Sequence, residues 1–422
     1  MSLEAARAMF RKELGLPEKG RIVITGHQCS IWHAGILAKY LACDALVSEH
    51  AFDHAAWLWV DHDSDETHTV RVPVMDSGAL KAAAWALKRA PQDDIAACGA
   101  PAFAPAAFLG RAALPRVRDG VERVRAALAA HASEPNAARQ FAAALADLMA
   151  PLVERRPALF ASAFMGTSLG RAVVERMLAH PRRCVEAYNR AAAGTPEARI
   201  APLASPDNEG DVELPLWLVG AGIPRVRVTV KRLREHAEGG ATLAPRALLM
   251  TGMARLAACD LFIHGTGGGV YDAITERWFK QWLGVDLAPT RVVTADLYLP
   301  LPAPDVSERD AARARWRAAH ARHDPAMLGD PAAAAEKSRL LALISETKAG
   351  GADPLPHYRA MHDLLARVRE RHSSSLGALE QDAARAADGL AESRLARDRT
   401  WAFPFHSSDA LGGLKRIVAA NR

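Results

Sequence analysis

Arg21-Ile22-Val23-Ile24-Thr25-Gly26, followed by Ala55-Ala56-Trp57-Leu58-Trp59-Val60-Asp61-His62-Asp63, decides how the chain folds. The first run is short, β-branched and closed by a glycine, which reads as a strand entering a turn. Between the two runs, residues 31–46 carry Ile36, Leu37, Tyr40, Leu41 and Leu46 at helical spacing. The second run is apolar throughout and stops abruptly at three polar residues. Strand, helix, strand in so short a span is the βαβ unit of a parallel sheet, because parallel neighbours need a crossover. The expected class is therefore α/β.

Working outward, residues 77–157 are rich in Ala, Leu and Arg and read as helices at 117–132 and 137–152, without a strong strand. Strand signals return at 215–219, 225–230, 261–264 and 292–298, with a helix at 245–258 among them. Beyond the proline-rich 299–304 the pattern is almost wholly helical, at 307–320, 331–348 and 356–397. In the last stretch Met361, Leu365, Val368, Leu376, Leu379, Ala383, Ala386 and Leu390 recur mostly three or four residues apart. The organisation expected is a Rossmann-like core in two parts, 1–76 and 158–302, split by a mainly helical insertion, 77–157. A helical hairpin or coiled-coil arm, 303–400, follows, and then a tail, 401–422, that packs on the body. The arm reads either as packed helices or as a homodimer contact. Trp401-Ala402-Phe403-Pro404-Phe405 is expected to fold back, since an exposed aromatic cluster is costly.

Composition excludes several classes. The 422 residues are 50% hydrophobic and 24% charged, an ordinary globular balance. The net charge of +5 is mild, and no Lys/Arg block is interleaved with aromatics, so no nucleic-acid partner is expected. Five cysteines (Cys29, Cys43, Cys98, Cys184, Cys259) are scattered without a CxxC pair, which fits a reducing compartment. Residues 1–14 are charged and amphipathic rather than signal-like, and no apolar run approaches the roughly 20 residues of a membrane span. The chain is expected to be cytoplasmic.

Three segments carry chemistry. Gly26-His27-Gln28-Cys29-Ser30-Ile31-Trp32-His33-Ala34-Gly35 lies between a strand and a helix, where backbone N–H groups and imidazoles meet a helix N-terminus suited to anions. Asp61-His62-Asp63-Ser64-Asp65-Glu66-Thr67-His68 concentrates four carboxylates and two imidazoles directly after a strand. It reads as a metal, amine or acid–base site, or else as a solvated turn capping a helix. Leu261-Phe262-Ile263-His264-Gly265-Thr266-Gly267-Gly268-Gly269-Val270-Tyr271-Asp272 runs from strand through glycines into a helix at 270–283. Missing Cβ atoms let amides approach a phosphate or carboxylate, and a tight turn alone is the plainer reading. The spacing is neither a Walker loop nor a dinucleotide fingerprint.

His33-Ala34-Gly35 echoes the His-x-Gly signature of class I aminoacyl-tRNA synthetases and related nucleotidyltransferases. Taken together, the three segments resemble the bacillithiol-biosynthesis cysteine-adding enzymes. Gly26-His27-Gln28 corresponds to that family's Gly-Gln-Gln, Asp61-His62-Asp63-Ser64-Asp65-Glu66 to its Asp-His-Asp-x-x-Glu, and Gly265 to Tyr271 to its Gly-Pro-Gly-Glu-x-x-Tyr. The resemblance implies a Rossmann-like core akin to cysteinyl-tRNA synthetase, with a helical insertion and a C-terminal coiled coil that can dimerise. It implies a carbon–nitrogen ligase that joins cysteine to the amine of a glucosamine–malate conjugate. The chain departs from the pattern at His27 for the first Gln, at His33-Ala34-Gly35 for Gly-Gly-Pro, and at Gly268 for the acidic residue.

In the ligase reading ATP activates a carboxylate, His33 and the Gly265 to Gly269 amides steady phosphates, and Asp61, Asp63 and Glu66 handle an incoming amine, with His62 beside them. Gly26, His27, Gln28, Gly35, His264, Thr266, Gly267, Gly268 and Tyr271 would line the substrate and nucleotide sites. No Lys-Met-Ser-Lys-Ser loop is present, and Lys231-Arg232-Leu233-Arg234 is a solvated basic stretch. A competing reading is metal-dependent hydrolysis, with zinc held among Cys29, His33, Asp61, His62 and Asp63, and with His68 and His264 nearby. The third is a non-catalytic sugar- or nucleotide-binding protein.

Overall fold

The computed structural model describes residues 3–64, 68–88, 94–205, 211–235 and 241–421. They form two units: residues 1–74, 82–299 and 399–422, and residues 75–81 with 300–398.

In the first unit, strand β1 (Ile22–Gln28) serves two cores at once. Ile22 and Ile24 share one layer with Ala56, Leu58 and Phe262, while Val23 shares the other with Ala55, Leu261 and Ile263. Burial on both faces is what an inner strand of a parallel sheet requires. Helix α1 (Leu3–Glu13) precedes β1, and α2 (Ala34–Ser48) crosses over to β2 (His54–Val60). The two strands pair in parallel from Ile22↔His54 to Gln28↔Val60.

Strands β3 (Thr69–Asp76) and β4 (Ala79–Ala86) follow as a hairpin, so a strand opens the stretch read as mainly helical. Its alanines favour a helix, but Ser77 (φ 52°) and Gly78 (φ 84°) close a two-residue turn, and pairing with β3 overrides propensity. Next come α3 (Pro115–Ala130), α4 (Ala137–Met149), β5 (Ala158–Phe160), a 3₁₀ turn at Ala161–Gly166, α5 (Ser168–Ala179) and α6 (Pro181–Ala193).

The strands expected at 215–219 and 225–230 do form, but not in the parallel sheet. β6 (Glu213–Gly220) pairs antiparallel with β7 (Ile223–Thr229) and, beyond the short helix α7 (Val230–Glu235), with β8 (Thr242–Pro245). Ala221 and Gly222 (φ 70°) fold the chain straight back on itself, which leaves no room for a parallel crossover. Helix α8 (Ala247–Met253) runs into a π turn at Ala254–Ala258, then β9 (Leu261–His264), α9 (Thr266–Leu283) and β10 (Thr290–Val292). The last strand stops at Val292, well before residue 298, because its ladder partner β9 ends opposite it at His264. The parallel sheet has the order β10-β9-β1-β2-β5, and helices flank it. Cys43 and Leu46 of α2 pack on one face, and Trp278 and Phe279 of α9 on the other.

The second unit holds α10 (Glu308–Ala321), α11 (Pro331–Ala349), α12 (Leu355–Arg371) and α13 (Ser373–Ala396). α10 packs on α13 and α11 on α12, around Ala333, Leu340, Leu364 and Val368. The expected long helix breaks at His372, which turns to Asp330 (3.2 Å), the N-cap of α11. The chain returns to the first unit with α14 (Ser408–Ala420) against α2. Trp401, Phe403 and Phe405 before it are buried, and the Phe403 N–H donates to the Trp32 carbonyl at 2.7 Å. Among the described residues no helix is long and apolar enough to cross a membrane.

Candidate functional site

The order of the central sheet creates a gap at one edge. The chain leads from β1 outward to β2 and β5, then resumes on the other side of β1 with β9 and β10. Helices α2 and α9 therefore leave adjacent strands toward opposite faces, and their N-termini splay apart. Ligands of open parallel sheets bind in such a crevice, beyond the carboxyl ends of the strands. A cleft of about 610 Å³ lies there, lined only by residues of the first unit.

The end of β1 supplies Gly26, His27 and Gln28, and the head of α2 supplies His33 and Gly35. A Cβ on Gly26 would sit 2.2 Å from the Leu58 carbonyl oxygen, so only glycine permits this pairing with β2. Trp32 pins the turn: its indole N–H donates to the Gln28 carbonyl (2.9 Å), and its ring stacks on Tyr40 and Trp59. His33 is the N-cap of α2, its Nδ1 accepting from the Gly35 N–H at 3.1 Å. A neutral His33 ring therefore carries its proton on Nε2, as a donor. Burial holds His27 well below the usual imidazole range, with Lys39 and His33 adding to the effect.

At the end of β2 the acidic segment divides. His62 and Asp63 line the cleft, but Asp61 does not. Asp61 is buried and accepts from both the N–H (2.8 Å) and the hydroxyl (2.5 Å) of Ser162, which ties β2 to the 3₁₀ turn. Burial lifts its carboxyl to about 6 despite those bonds. His62 is only 3% exposed, and burial depresses its imidazole to about 4. Its Nδ1 is 3.9 Å from Asp61 but has no hydrogen-bond partner, and with a neutral ring the contact is no ion pair. Asp63 accepts from the Ser64 N–H and pairs with Arg225, each at 2.9 Å. Glu66 lies outside the described residues.

The end of β9 supplies His264, and the head of α9 supplies Gly265, Thr266, Gly267, Gly268 and Tyr271. The glycines do not form a separate turn, as the sequence suggested, but the first turn of α9, whose N-cap Gly265 has no side-chain cap. Its leading N–H groups face the cleft without an intrahelical partner. A Cβ on Gly268 would lie 2.2 Å from His264 Nδ1, whereas one on Gly267 would meet nothing within 4 Å. His264 Nε2 comes within 2.9 Å of Asp272, close but misaligned for a hydrogen bond, and Arg255 backs Asp272 at 3.4 Å.

The facing wall escaped sequence reasoning. Trp217 of β6 lies under the guanidinium groups of Arg225 (4.7 Å) and Arg246 (4.9 Å), and Arg246 is held by Glu213 at 2.6 Å. Tyr188, Arg199, Thr294 and Arg399 complete the lining, with Lys39 from α2. Isolated arginines on short strands carry no spacing signal, and neither does a single tryptophan among apolar strand residues. Among the described residues the cleft is lined by five cations, Lys39, Arg199, Arg225, Arg246 and Arg399, and by one carboxylate, Asp63.

The zinc arrangement does not assemble. Among the described residues no three His, Cys, Asp or Glu side chains are placed to hold a metal ion. Cys29 is fully buried away from the cleft, and burial raises its thiol well above the usual range. His68 packs between Phe103 and Phe141. Comparison of the chain with protein families and with curated proteins found no match.

Proposed function

We propose that the cleft is a nucleotide site on a Rossmann-like, nucleotidyltransferase-type sheet, and that the protein is a carbon–nitrogen ligase acting through an acyl-adenylate. One observation carries the reading: the turns after β1, β2 and β9, distant in sequence, line a single cation-rich crevice at the switch point of a parallel sheet. His33 sits on the first turn of α2, where it can donate from Nε2 to a phosphate. The N–H groups of Thr266 and Gly267, at the head of a helix with no side-chain cap, supply fixed dipoles for the charge that develops on a transferring phosphoryl group.

In the reaction a substrate carboxylate oxygen attacks the α-phosphorus of ATP and pyrophosphate leaves. An amine then attacks the acyl carbon, AMP departs and the amide forms. The acidic segment takes a different role from the one its composition suggests. Asp61 is a structural tie, and Asp63 aims Arg225 rather than an amine. The resemblance of the three segments nominates cysteine as the acid and an amino sugar as the acceptor.

ATP–pyrophosphate exchange with cysteine, followed by amide formation on adding glucosamine derivatives, tests the reaction. Binding of ATP without exchange for any amino acid would favour the non-catalytic reading. Gly267→Leu tests the site independently. The added side chain meets open space and replaces a helical glycine, so thermal stability should hold or rise by up to about 1 kcal/mol. ATP affinity by calorimetry should fall at least roughly tenfold, since the side chain enters the phosphate path. Unchanged affinity removes the α9 cradle.

A further inference from the structure

Lys39 is a charged group that the fold does not neutralise. It stands on α2, nearly two turns past His33, and only 3% of it is exposed. Its stem passes beneath Gly265, whose Cβ would lie 3.8 Å from Lys39 Cδ, and its ammonium donates to the Gly26 carbonyl at 2.6 Å. The nitrogen thus spans the gap between the ends of β1 and β9, and it lines the cleft. The other lining cations differ. Arg225 has Asp63, Arg246 has Glu213, Arg399 has Asp296 at 2.8 Å, and Arg199 is exposed to water. Among the described residues no carboxylate pairs with Lys39, and a single carbonyl accepts one of its three N–H donors.

A buried ammonium without a counterion is costly, and such charges persist where they pair or bind something. Packing alone gives no reason for it, since a methionine of similar length would fill the same space beneath Gly265 without the desolvation cost.

We propose that Lys39 is the principal anion-binding cation of the cleft, and that its counterion is a phosphate-type oxyanion of the ligand seated between the first turns of α2 and α9. The inference rests on the nucleotide reading for the identity of the ligand, but not for its charge. Burial lowers the ammonium to about 7, in keeping with a group that lacks a countercharge in the fold. Two N–H donors of Lys39 and the amides of Thr266 and Gly267 surround the oxyanion.

The test compares the full-length protein with Lys39→Met, using inorganic pyrophosphate and ATP as separate probes in calorimetry, and thermal denaturation without ligand. The expected result is a loss of affinity for both probes of at least twentyfold, together with a higher melting temperature, because removing an uncompensated buried charge relieves the fold. Equal affinities in the two proteins overturn the role of Lys39 and leave the nucleotide site intact. Pyrophosphate binding that depends on Lys39, without ATP binding in the wild type, overturns the nucleotide reading and retains this one. If Lys39→Met melts lower than the wild type, Lys39 is a strut for the Gly26 turn, and the proposal fails. Wild-type protein that binds neither probe overturns both.

Discussion

The turns after β2 and β9 occupy equivalent positions at the carboxyl edge of one sheet, yet they treat their polar groups in opposite ways. After β2, Asp61 is occupied by Ser162 and Asp63 by Ser64 and Arg225, while the carbonyls of both accept from the N–H groups of Cys98 (2.8 Å) and Ala97 (3.1 Å). After β9, Gly265 caps its helix with no side chain, and Gly267 faces open space. The turn dense in charge is largely a fastening, and the turn bare of side chains is the one left open to a ligand. Clustered acids seek partners within the fold, because a buried carboxylate without them is expensive.

Asp61→Ala gives that contrast its largest test. The substitution removes the acceptors of the half-buried Ser162 N–H and hydroxyl, at about 1–3 kcal/mol for each group, partly offset by water reaching Ser162 and because burial already disfavours the Asp61 charge. A net loss of about 3 kcal/mol is expected in urea denaturation, with ATP affinity of the folded fraction within twofold of wild type. A stable variant that no longer binds or turns over substrate would return Asp61 to the chemistry and erase the distinction between the two turns.

The neighbouring pair Asp61 and His62 sharpens it through pH. The carboxyl of Asp61 is raised to about 6, above its ordinary 3.8, so its stabilising protonated form is complete below pH 3.8 and is lost as pH rises to 6. The imidazole of His62 is lowered to about 4 from 6.5, so its contribution is complete above pH 6.5 and is lost as pH falls to 4. The two slopes oppose each other over the same window and nearly cancel. Asp61→Asn should expose the histidine slope, with stability falling as pH drops from 6.5 to 4. His62→Asn should expose the opposite one. Each should differ from wild type by about 1 kcal/mol per pH unit, read from urea midpoints. Parallel profiles for all three proteins would mean that neither group is buried as described.

What could be read from the chain follows from the range of the forces involved. The β1–α2–β2 unit was legible because its strands are apolar on both faces and its helix follows within a few residues. The ends of those strands could be named as a site because parallel topology brings strand ends together whatever their separation in sequence. β4 was not legible, since its alanines favour helix and only the left-handed Ser77-Gly78 pair betrays the turn. The wall of Trp217, Arg225 and Arg246 was invisible for another reason. It depends on an antiparallel sheet docking beside the parallel one, a tertiary event that leaves no local period. Lys39 was hidden by its own helix, where a lysine at that spacing ordinarily points to water, and only the stem's path beneath Gly265 reverses that reading.

Asp63→Asn is the smallest effect and the most pointed, because Asp63 belongs to both sides of the contrast. It lines the cleft like the glycine turn, yet its carboxylate is engaged like that of Asp61. The asparagine keeps an oxygen for the Ser64 N–H and for Arg225, so stability should change by less than about 1 kcal/mol. The negative charge, however, is gone from a cleft whose remaining lining charges are all positive among the described residues, and Arg225 is released to attract ligand. ATP or pyrophosphate should therefore bind about three- to tenfold more tightly at low salt, and the gain should shrink as ionic strength rises and screens the added field. If Asp63 instead holds an amine directly, anion affinity should stay constant while amide formation disappears. That outcome would make the acidic turn half fastening and half site, with the division falling between residues 61 and 63.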